Sequence, residues 1–73
     1  MSGAATLMPK LGHLKEIREG KYLSQRMLAQ RSGVSRPTIA RLEAGEQARY
    51  TTVWKLAETL GVEPGELVGS VDE

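Results

Sequence analysis

Residues 25–44 read QRMLAQRSGVSRPTIARLEA, and the fold turns on them. Two short amphipathic helical patterns flank Gly33-Val34-Ser35. Ala29 stands four positions before Gly33, and Ile39 stands six positions after it. That spacing fits two helices crossing steeply through a tight turn. Ala29 leaves room for the second helix to approach closely. Gly33 permits the positive φ with which the chain reverses. Ile39 fills the gap between the helices. The outward positions are mostly Arg and Gln, and no carboxylate stands between Glu19 and Glu43. A stiff helix with a basic outer face suits the DNA major groove.

The flanking sequence extends this into a bundle. Ser24 is a natural N-cap for a helix over 24–32, with Met27, Leu28 and Ala29 inward. Ser35 caps a helix over 35–44, with Ile39 and Leu42 inward. Pro37 falls in its first turn, where a missing N–H costs nothing. Gly45 ends it. Upstream, Leu11, Leu14 and Ile17 form the inner stripe of a helix from Pro9 or Lys10 to Glu19, stopped by Gly20. Downstream of a polar loop over 46–50, Val53, Leu56, Ala57 and Leu60 recur at i, i+3, i+4 and i+7. This predicts a helix over 51–60, closed by Gly61. Glu63-Pro64 opens a short fifth helix through Val68, ended by Gly69. No strand-like alternation occurs. The expected architecture is an all-α, compact five-helix bundle over 10–69, with a flexible arm over 1–9 and a frayed tail over 70–73.

Composition narrows the function. The 73 residues suffice for one domain. A chain this short has a small core, and dimerisation would add buried area. There is no Cys and a single His, His13. Disulfides, thiolate metal sites and histidine metal clusters are therefore excluded. No Gly-rich phosphate loop or convincing carboxylate pair is present, so neither an enzyme nor a cofactor site is expected. No apolar run is long enough to span a membrane. The start lacks the basic-then-apolar layout of a secretory signal, which reads as a cytoplasmic protein. The net charge of +1 conceals a polarity. Residues 1–55 hold all ten Lys and Arg against four acids, a formal +6. Residues 56–73 hold five acids and no base, a formal −5. One end attracts polyanions and the other repels them.

A longer series of residues fits one family. It runs Leu14-Lys15-Glu16-Ile17-Arg18, Leu23-Ser24-Gln25 with Leu28-Ala29, then Gly33-Val34-Ser35 and Thr38-Ile39. It continues with Leu42-Glu43-Ala44-Gly45, Lys55-Leu56-Ala57, Leu60-Gly61-Val62 and Glu66-Leu67. From about Leu11 to Val68 the chain resembles the Cro/phage-repressor type of helix-turn-helix protein, the XRE family. The resemblance implies a lambda-repressor-like DNA-binding bundle with the helix-turn-helix at helices two and three, working as a two-fold dimer. Tyr22 departs from the pattern, standing where the family often has Gly. The loop after Gly45 also lacks the usual Pro, and Arg49 is its only base.

Site residues follow from position. In a helix-turn-helix the N-terminal residues of the second helix meet base edges. These are Ser35, Arg36, Pro37 and Thr38, with Arg41 one turn further on. Arg36 and Arg41 can each donate two parallel bonds to guanine O6 and N7. Thr38 would meet a thymine methyl or a phosphate. At the start of helix two, Ser24 and Gln25 lie where free N–H groups favour a phosphate oxygen. The resemblance places a DNA-backbone contact at Gln25, and Arg49 is expected to add one from its loop. Lys21, Arg26 and Arg31 supply longer-range attraction. By resemblance, Arg18 and Glu43 form a partly buried structural ion pair. Trp54 is read at the core edge, with a dimer contact or a cover for the N-terminal arm as the alternative. Tyr50 is expected to pack inward and His13 to lie on the surface. Leu67, Val68 and Val71 sit where the family's two-fold interface commonly forms.

The function so implied is a sequence-specific regulator of transcription that binds double-stranded DNA, a dimeric repressor reading a palindromic operator in a prokaryote or phage. The alternative is an antitoxin, which would share the fold, bind a toxin protein and regulate its own synthesis. The expected partners are DNA, a second copy of the chain and, in the second reading, a toxin or other regulatory protein.

Overall fold

Each half of the quoted stretch is a helix, and three more surround them. The computed structural model describes residues 8–69. Its helices are α1 Leu14–Gly20, α2 Gln25–Ser32, α3 Arg36–Glu43, α4 Tyr50–Leu60 and α5 Pro64–Leu67. Among the described residues there are no strands beyond two isolated backbone bridges. Val71 and the tail over 70–73 lie outside the described residues, as does most of the expected arm over 1–9.

Caps and turn residues set the α2–α3 corner. Ser24 Oγ accepts the Met27 N–H at 3.0 Å, and Ser35 Oγ accepts the Thr38 N–H at 3.3 Å. These bonds satisfy amides that have no partner within a helix's first turn. Gly33 takes φ +79° and donates its N–H to the Ala29 carbonyl at 3.0 Å. Val34 is buried immediately afterwards, and Ile39 is fully enclosed. The core joins one or more apolar residues from every helix: Leu14, Leu28, Ile39, Leu56 and Leu67, with Leu11 ahead of α1.

Three helices end with the same paired bonds. After α1, Leu23 N–H reaches the Arg18 carbonyl and Tyr22 N–H the Glu19 carbonyl. After α3, Glu46 reaches Arg41 and Gly45 reaches Leu42; after α4, Val62 reaches Ala57 and Gly61 reaches Glu58. This six-to-one and five-to-two pattern requires a left-handed residue at its bend. Gly45 and Gly61 supply it with φ of 108° and 72°, and Tyr22 does so with φ 59°.

Several expectations are corrected. The first helix starts at Leu14, not at Pro9 or Lys10, because the preceding backbone is committed sideways. Ala48 N–H donates to the Pro9 carbonyl at 2.8 Å, and Gly69 N–H donates to the Lys10 carbonyl at 2.9 Å. Gly12 and His13 in turn donate to the carbonyls of Gly69 and Leu67. Residues 9–13 are thus threaded between the α3–α4 loop and the segment after α5. Gly20 continues α1, since the bend falls two residues later. Met27 is exposed. So is Tyr50, which opens α4 and is 62% exposed. Trp54 is not at the core edge: it is 63% exposed, because Val53, Leu56, Ala57 and Leu60 already fill the inner stripe of α4. The fifth helix stops at Leu67, one residue short of its expected end. Leu67 has no exposed surface, so it closes the chain's own core and offers nothing to a partner.

Candidate nucleic-acid interface

The outer side of α3 follows directly from its inner side. Burying Ile39 and Leu42 turns Arg36, Pro37, Ala40, Arg41 and Ala44 to solvent. Two long cations therefore stand among small or rigid side chains, a surface that another molecule can approach closely. Among the described residues, neither Arg36 nor Arg41 is held by an ion pair or a side-chain hydrogen bond. Ser35 is exposed, and its hydroxyl donates to Thr38 Oγ1 at 2.8 Å while capping the helix. Pro37 stands in the first turn, and Thr38 is half-buried.

A cleft of about 460 Å³ opens between α3 and the start of α4. Thr38, Arg41, Arg49 and Thr52 line it, with Glu46. Arg49 is the residue before α4 and makes no side-chain cap. The fold thus gathers Thr38, Arg41 and Arg49 into one depression with two guanidinium groups and one carboxylate. Arg36 stands apart from it, on the first turn of α3.

The base of α3 is held by a charge cluster. Arg18 Nε donates to Glu43 Oε2 at 2.6 Å, Nη2 donates to Glu43 Oε1 at 3.1 Å, and Nη1 donates to the Leu23 carbonyl at 2.7 Å. The two side chains are only 9% and 6% exposed. The hydrogen bond to Glu43 holds the guanidinium above its ordinary arginine value, against the opposing effect of burial. The Glu43 carboxylate accepts a third hydrogen bond, from Gln25 Nε2 to Oε1, at 3.0 Å. Gln25 opens α2 directly after the cap Ser24. The start of α2, the last turn of α1 and the end of α3 therefore meet at one carboxylate.

The residues expected at a two-fold interface are dispersed. Trp54 lines a shallow depression with Ala57, Val62 and Pro64, whereas Val68 lines another with His13 and Ile17. Sequence reasoning missed Ala40, which shares the outward line of Arg36 one turn on; the 3.6-residue period carried that signal. It also missed the bond from Gln25 to Glu43, for which no local pattern exists.

Comparisons place this geometry among known proteins. The helix-turn-helix family model matches residues 14–67. The restriction-modification controller protein C.AhdI from Aeromonas hydrophila is 40% identical, with a TM-score of 0.73 over 80% of this chain and 91% of that one. HEPD from Streptomyces albus, solved with 2-hydroxyethylphosphonate and Fe(II), is 27% identical with a TM-score of 0.74. That match spans 92% of this chain but 16% of the other. Among the described residues here, no cluster of His, Cys, Asp or Glu could hold a metal ion. A hypothetical transcription factor, NHTF, from Neisseria shares the fold at 22% identity and a TM-score of 0.72, over 92% of this chain and 85% of that one. No curated protein sequence matches significantly.

Proposed function

The chain belongs to the Cro/phage-repressor (XRE) type of helix-turn-helix family, whose members are DNA-binding transcriptional regulators, and from that premise we propose a dimeric repressor that reads a palindromic operator through the major groove. The observation that carries this reading is the outer face of α3, where Arg36 and Arg41 stand exposed and unpaired beside Ala40 and Ala44. Each arginine is assigned a guanine, a discrimination of about 1–3 kcal/mol per bidentate pair. Ala40 would sit close enough for apolar contact with a thymine methyl. Ser35, Pro37 and Thr38 enter the groove with the first turn of α3.

Phosphates are assigned to Ser24 and Gln25 at the start of α2, and to Arg49 in the cleft beside α4. The working domain is residues 10–69. Its role is binding without catalysis, in the compartment that holds the genome. Likeness to a restriction-modification controller favours a controller-type regulator over a phage repressor. The exposed Trp54, with Val68, is assigned to the two-fold interface. Leu67 is not, being enclosed in its own core.

Hydroxyl-radical footprinting tests this on a duplex that the protein selects from a randomised pool. Two protected patches about one helical turn apart, near 34–36 Å, are expected, because a two-fold dimer places two reading helices at that spacing. A single protected patch would remove the dimer, and no protection would remove the function.

A further inference from the structure

We infer that Glu43 is a positioning residue for DNA binding: the carboxylate that locks Arg18 also fixes the Gln25 amide in the attitude that meets the DNA backbone. The inference rests on the reading above, in which Gln25 touches a phosphate.

A carboxamide offers two N–H donors and a carbonyl. One N–H of Gln25 is committed to Glu43 Oε1 at 3.0 Å. Among the described residues its other polar groups have no partner. The bond stops a long flexible side chain from wandering. Rotamer freedom is lost during folding instead of during binding, which is how preorganisation raises affinity. The anchor is itself rigid, since Glu43 is nearly enclosed and receives two guanidinium bonds.

Charge points the same way. A carboxylate beside a phosphate contact would repel DNA. Arg18 holds Glu43 through two charge-assisted bonds and cancels that charge in place. Gln25 then gains a strong acceptor as anchor without a net negative charge beneath it. The ion pair therefore does more than join α1 to α3. It also ties the end of the reading helix to the start of α2, so both contact elements keep one relative setting.

The test is a cycle of variants of the full chain: Gln25→Ala, the double variant Arg18→Met with Glu43→Leu, and the triple variant. The probe is the duplex selected from a randomised pool. Affinity is measured by fluorescence anisotropy where circular dichroism shows each variant folded. Gln25→Ala should weaken binding roughly fivefold in the wild-type background, about one hydrogen bond's worth. In the apolar background the same change should cost less than about twofold, because the amide has already lost its anchor. Equal losses in both backgrounds would overturn the positioning role while keeping Gln25 as a contact. No loss even in the wild-type background would overturn both.

A second measurement does not depend on those variants folding. In the unliganded wild type, the Gln25 side-chain amide protons should exchange with solvent more slowly than those of the exposed Gln30 and Gln47. Exchange as fast as theirs would overturn the anchoring.

Discussion

Tyr22 does a glycine's job. It occupies the left-handed bend after α1 at φ 59°, where the equivalent bends after α3 and α4 use Gly45 and Gly61. An L-residue there costs about 1–2 kcal/mol, and Tyr22 is 91% exposed and recovers little by packing. Glycine is freer in the unfolded chain, which offsets part of the gain. Tyr22→Gly should therefore stabilise the fold by about 0.5–1 kcal/mol, raising the thermal midpoint by several degrees. A melt showing no rise would mean that the exposed ring contributes where no contact is visible. The family pattern already marked position 22 as unusual, but the sign of φ needed the structure. Arg36 and Arg41 were legible at this scale, because helical period alone turns them outward. Trp54 was not: being about 100° from Val53 on a helical wheel leaves core and solvent equally open.

Elements are held by end groups and by one buried ion pair. Ser35 caps α3 and bonds Thr38, so Ser35→Ala should cost about 1 kcal/mol, measured by urea unfolding. Arg18→Ala should cost about 3–5 kcal/mol, because it strands Glu43 at a site only 6% exposed. Replacing both partners, Arg18→Met with Glu43→Leu, should restore most of that stability. Near-wild-type stability of Arg18→Ala alone would contradict the clamp. Because the Arg18 value is raised, its share of stability is fully present below the ordinary arginine range and is lost only as pH rises through the higher folded value. Neutral-pH experiments therefore leave it untouched. Helix caps and apolar periods made α2, α3 and α4 readable to within a residue. The start of α1 was not readable. Its stripe of Leu11, Leu14 and Ile17 looks helical throughout, yet residues 9–13 bond to Ala48, Leu67 and Gly69. Those partners lie far along the chain, and no local pattern announces them.

At the scale of the molecule, ten bases in residues 1–55 and five acids against none in residues 56–73 give the chain an electrical polarity. That division was visible in the sequence, and in the proposed function it favours approach to a polyanion by the basic residues. For the proposed two-fold interface the sequence offered less. Helical spacing cannot tell a residue that closes its own core from one that waits for a partner, and Leu67 proved to be the former. Trp54→Asp should shift the protein from dimer to monomer in analytical ultracentrifugation while leaving its helical signal intact. An unchanged dimer would move the interface elsewhere. The central claim concerns the free cationic face of α3. Its most direct test is the affinity of Arg36→Ala/Arg41→Ala for the selected duplex and for a scrambled one, at several salt concentrations. The double variant should melt like the wild type, lose most of its preference between the two duplexes, and keep a negative log–log salt slope from its remaining phosphate contacts. Undiminished preference for the selected duplex would contradict the account.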